Sequence, residues 1–116
     1  MAILERAKAE GLSTGIIIAP VFPPVRLRPD VREDLGLIFR ELKRAEADYI
    51  YGECLHRRGL NMVYLEKALN EEIRLRGFDQ TAGKIFYDLL REYGLKGEWW
   101  YELDGTGYYL EGERGP

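Results

Sequence analysis

From Val31 onward apolar residues recur at alternating spacings of four and three: Val31, Leu35, Ile38, Leu42, Ala45 and Tyr49. That period places all six on one face of an α-helix, and it is the clearest helical signal in the chain. Asp30 occupies the N-cap position, and Glu33, three residues on, completes a capping box. The seam predicts a long amphipathic helix that continues toward Arg58, with a break near Gly52 and Gly59 as its C-cap. Its apolar face either packs on this chain's own core or joins a second copy, three heptads being the minimum for a coiled coil.

The remainder of the 116 residues reads as one domain, 1–116. Residues 2–10 predict a short helix with Ile3, Leu4 and Ala7 on one face and Gly11 ending it. Gly15–Phe22 is a β-branched run; Pro20, Pro23 and Pro24 lack ladder donors, which sends this strand to an edge or bends it. Asn61 is read as the cap of a helix with Met62, Leu65, Leu69 and Ile73 inward, ended by Gly77-Phe78. Thr81 opens another helix, with Ala82, Ile85, Phe86, Leu89, Leu90 and Tyr93 inward and Gly94-Leu95 as its end. Glu98–Leu103 and Tyr108–Glu111 flank Asp104-Gly105-Thr106-Gly107, a hairpin signal. The expected fold class is therefore α+β. It has about four helices, a small antiparallel sheet made of the N-terminal strand and the C-terminal β-hairpin, and a helix-turn-helix-like pair before that hairpin.

Composition narrows the function classes. Apolar residues make up 46% and charged ones 32%, as in a folded globular domain. The longest uncharged run, Gly11–Val25, holds three prolines and is too short to span a bilayer. No signal-peptide pattern precedes it, so a cytoplasmic protein without membrane contact is expected. Arginine outnumbers lysine 12 to 5, and Asn61, Asn70, Gln80 and Cys54 are the only residues of their thermolabile types, a thermophile's bias. The net charge of −3 comes mostly from residues 97–116.

Catalytic, cofactor and small-molecule signals are absent. Cys54 stands alone, which is read as ruling out a disulfide and a cysteine-based metal site, and no cofactor is expected. His56, the sole histidine, lies two residues away; on one helix an i, i+2 pair points to different faces, so no Cys–His dyad is expected. Pro29-Asp30 and Glu41-Leu42-Lys43 have the loose spacing seen in restriction-type nucleases. Eleven residues of helix separate the acids by about 16 Å, too far for one metal.

What remains is a surplus of aromatics and arginines. Whichever face of the hairpin turns inward, one of Trp99 and Trp100 and at least one tyrosine meet solvent. Trp99, Trp100, Tyr101 and Tyr109 are the candidate stacking platform, since stacking on bases is indifferent to sequence. Arg26, Arg28, Arg57, Arg58, Arg74, Arg76, Lys84 and Arg91 are the candidate phosphate track. The expected function is non-enzymatic, sequence-independent binding of single-stranded DNA or RNA. One alternative is a protein-interaction subunit using the helical seam or the Trp/Tyr hairpin. Another is a winged-helix regulator of duplex DNA, with Thr81–Tyr93 as recognition helix.

The stretch Arg76-Gly77-Phe78-Asp79-Gln80-Thr81-Ala82-Gly83-Lys84-Ile85-Phe86-Tyr87, followed by Gly97-Glu98-Trp99-Trp100-Tyr101, resembles the ThermoDBP-type proteins. These are single-stranded DNA-binding proteins of hyperthermophilic archaea that lack the OB-fold strand pattern. The resemblance has no short diagnostic motif, so it transfers no individual residue role. It implies an apolar cleft flanked by basic groups that grips single strands, in a homo-oligomer.

Overall fold

The computed structural model describes residues 2–56, 59–103 and 106–110, with the backbone alone for 101–103 and 106–110. In chain order the elements are α1 (Ala2–Ala9), β1 (Gly15–Val21), α2 (Val31–Arg44), β2 (Tyr49–Cys54), α3 (Asn61–Leu69), α4 (Phe78–Tyr93), β3 (Gly97–Leu103) and β4 (Thr106–Leu110). The strands form one sheet in the order β1-β2-β3-β4. β1 pairs parallel with β2, and β2 pairs parallel with β3; only β4 runs antiparallel, against β3.

This corrects the expected antiparallel sheet. The N-terminal strand does not meet the C-terminal hairpin directly. β2 lies between them, in a stretch that the apolar seam had placed inside a helix. The helix in fact stops at Arg44, because Glu46 adopts a left-handed conformation (φ 58°). The Ala47 backbone N–H then donates to the Leu42 carbonyl at 3.1 Å and the Glu46 N–H to Lys43 at 3.1 Å, closing the helix end. Beyond that turn Tyr49-Ile50-Tyr51 is β-branched and aromatic, and it propagates as strand.

Other boundaries move for similar reasons. Asp30 caps α2 as expected, its side chain accepting from the Glu33 N–H at 2.9 Å. Asn61 is the first residue of α3 rather than its cap, and α3 closes early at Asn70, which is left-handed (φ 53°). Ile73 thus lies beyond the helix, and Gly77 precedes α4 instead of ending α3. α4 begins at Phe78, not Thr81. Eight residues separate α3 from α4, so the pair is no tight helix-turn-helix, and the winged-helix arrangement is corrected with it.

Both parallel crossovers put their helices on one side of the sheet, as successive connections of one hand do. α4 packs on β2 and β3, and α2 packs on α4. Ile50, Cys54 and Trp99 enter the core from the sheet; Leu35, Phe39 and Leu42 enter from α2; Ala82, Phe86 and Leu89 enter from α4. Phe39 meets Phe86 edge-on, with centroids 5.4 Å apart at 82°. In the predicted seam Ile38 is 42% exposed, and Phe39 takes its inward place. A smaller cluster of Leu55, Met62 and Ile73 sits beneath α3. No helix among the described residues is long and apolar enough to cross a membrane.

Candidate functional site

α2 and α4 pack on one side of the sheet, and strand parity decides what the described residues show on the other. Ile16, Ile18, Ile50 and Trp99 point to the helices, so Ile17, Tyr51, Glu53, Glu98 and Trp100 point away. Cross-strand register aligns Ile17 with Tyr51 and Tyr51 with Glu98, and next to these Glu53 with Trp100 and Trp100 with Tyr109. Ile17, Tyr51, Glu53, Glu98 and Trp100 line an open depression. Ile17 is 74% exposed, a large apolar group at an edge of the sheet. The Tyr49 and Tyr51 rings lie 4.9 Å apart, and the Tyr49 hydroxyl donates to Glu98 Oε1 at 2.6 Å. The face is aromatic and acidic.

The tryptophan ambiguity resolves in favour of Trp100. Trp99 is fully buried against Phe86, its backbone N–H donating to the Tyr87 hydroxyl at 2.9 Å, and it reaches no surface. Its indole Nε1 has no acceptor among the described residues. Tyr101 and Tyr109 are described as backbone only, so their side chains lie outside the described residues, as do Arg57 and Arg58 altogether.

The basic residues expected to accompany the aromatics lie elsewhere. Arg26 donates to the Asn70 carbonyl at 2.7 Å and pairs with Glu71 at 3.4 Å. Arg28 pairs with Asp34 at 3.1 Å, Arg74 with Glu72 at 3.6 Å, and Arg91 with Asp88. Arg76 and Lys84 are exposed, with no ion pair among the described residues. Arg74 and Arg76 join Arg32 beside Phe78, around the first turns of α2 and α4 on the helical side. Among the described residues, rings and cations therefore do not converge on one track.

A second constellation was missed from the sequence. Cys54 ends β2 and His56 follows two residues on, the chain staying extended as the Leu55 N–H donates to the Val21 carbonyl at 2.9 Å. In an extended segment i and i+2 share a side, so the expectation drawn from a helix inverts. Asp79, in the first turn of α4, meets both. The Cys54 thiol donates to Asp79 Oδ1 at 2.9 Å, His56 Nε2 lies 2.8 Å from Asp79 Oδ2, and Cys54 Sγ is 3.6 Å from His56 Nε2. Asn61 fixes the loop by donating to the His56 carbonyl at 2.9 Å. Burial pushes the Cys54 thiol well above its usual range, and the Asp79 hydrogen bond adds to the effect. A thiol so held is a poor nucleophile. The same imidazole nitrogen faces both partners, so the trio is not a relay in which the two ring nitrogens serve different groups.

No protein-family model matches the chain, and no solved structure matches it. It is similar to the uncharacterized protein ORF301 of Acidianus two-tailed virus, with 46% identity over 103 residues, covering 88% of this chain and 34% of that protein. The chain thus spans about a third of that relative's length.

Proposed function

We propose that this domain is a non-enzymatic protein-binding module whose open sheet face takes a basic segment of a partner protein. One observation carries the reading: on that face Tyr51 and Trp100 stand beside the carboxylates of Glu53 and Glu98. A lysine or arginine head over a tyrosine or tryptophan ring gains ~0.5–1 kcal/mol when exposed and ~2 when desolvated. A neighbouring carboxylate adds charge complementarity, which speeds encounter and fixes register. The free Cys54 thiol suits a reducing, cytoplasmic setting.

The same rings could stack bases, and single-stranded DNA or RNA binding is the competing reading. Glu53 and Glu98 weigh against it, since they put negative charge where a phosphate backbone would run. Anisotropy titrations separate the two, using a labelled Lys/Arg-rich peptide, an acidic peptide of equal length, poly-dT and matched RNA. The proposal expects the basic peptide to bind, more weakly at high salt and more weakly still in Glu53→Gln/Glu98→Gln. Binding of poly-dT or RNA without the peptide overturns it in favour of the nucleic-acid reading. Binding of none of the four probes overturns both.

A further inference from the structure

The geometry points to a second site, independent of the sheet face: Cys54, His56 and Asp79 form a binding site for a zinc-class transition-metal ion. One ligand atom from each residue lies within 4.8 Å of the others, and the three donors are a sulfur, an imidazole nitrogen and a carboxylate oxygen. Zinc binds such donors at about 2.3 Å for sulfur and about 2.0–2.1 Å for nitrogen and oxygen. Those lengths make the edges of a tetrahedral site roughly 3.3–3.6 Å. The Cys54–His56 separation of 3.6 Å already matches such an edge. The Asp79 oxygens, at 2.8 and 2.9 Å from the other donors, need to withdraw by about half an ångström.

The donor set is selective. Thiolate with imidazole favours zinc and its neighbours over magnesium or calcium, which take oxygen ligands. Three protein ligands leave a fourth position for water or a ligand, as in metal sites that do chemistry or exchange partners. The site lies at the carboxyl end of β2, beside the first turn of α4. Cys54 is 4% exposed, and the side chains of His56 and Asp79 are 15% and 13% exposed, so the pocket is sheltered yet reachable. Asn61 acts as a positioning residue, holding the backbone that carries His56.

Cobalt(II) is the probe, because a thiolate ligand gives it a near-ultraviolet charge-transfer absorption. Metal-free full chain titrated with cobalt should develop that band, saturate at one ion per chain and lose it when zinc is added. Cys54→Ser should abolish the band while far-UV circular dichroism stays native. Asn61→Ala should keep the band and weaken binding about tenfold to a hundredfold, the usual effect of losing a support to a ligand. His56→Ala and Asp79→Asn, which keep the thiol, should each weaken binding by at least about tenfold. No band in the folded wild-type protein overturns the site. So does a band that survives Cys54→Ser, or cobalt affinity unchanged in both His56→Ala and Asp79→Asn.

Discussion

Gly52 lies where β2 passes beneath Phe86 and Trp99, and a Cβ there would come within 2.7 Å of Phe86 and 2.9 Å of Trp99. Neither ring can retreat, since both are fully buried. Gly52→Ala is therefore expected to cost about 1–3 kcal/mol, read as a lower urea midpoint at unchanged slope. Asp48 supplies a pH dependence. It accepts from Lys8 Nζ at 2.7 Å and from the Thr14 backbone N–H at 2.7 Å, and these bonds hold its carboxyl below the ordinary value of 3.8. A lowered folded pKa means that the contribution is present above that ordinary value and fades as pH falls through the lower, folded one. Asp48→Asn should lower stability at neutral pH by an amount that shrinks as pH falls below about 4, so that its stability-versus-pH curve has a flatter acid limb. Some residue roles were legible in advance: Asp30 caps its helix, and Gly94 ends α4 with the Leu95 N–H donating to Leu90 at 2.9 Å. Their chemistry is local. The roles of Trp99 and Trp100 were not legible, because strand parity needs the position of the helices.

At the scale of elements the decisive case is β2. A left-handed helix end normally shows itself by glycine or asparagine, and here Glu46 occupies it. With no such signal, Ala45 and Tyr49 happened to continue the period of α2, and a strand was read as helix. Cys54 and His56 went with it, since a pair that diverges on a helix converges on a strand. The same shift predicts which face of α2 matters. Phe39→Ala, at a fully buried position, should cost about 3–5 kcal/mol, whereas Ile38→Ala, at 42% exposure, should cost less than about 1. Equal losses at the two positions would return Ile38 to the core and restore the longer seam. The end of α3 moved for a related reason, because Asn70 terminates it as well as the expected Gly77 would have.

For the whole molecule, what the local pattern could not encode is which strand lies beside which. β1 and β3 are joined through β2, and their parallel pairing depends on crossovers that no short window of sequence contains. Once the order is known, the distribution of chemistry follows. Among the described residues, α2 and α4 pack on one side, where Arg32, Arg74 and Arg76 gather, while Tyr51, Trp100, Glu53 and Glu98 line the other. Trp100→Ala should then lower affinity for a basic peptide by about fivefold to thirtyfold, equivalent to ~1–2 kcal/mol of ring–cation contact. It should lower the unfolding midpoint less than Trp99→Ala does, because Trp99 is the tryptophan buried in the core. The most direct test uses both tryptophans at once, following their two indole N–H signals by NMR as a Lys/Arg-rich peptide is added. The account predicts that the Trp100 signal moves progressively to saturation while that of buried Trp99 stays in place. A Trp100 signal that ignores the peptide, or answers only to poly-dT, would contradict it.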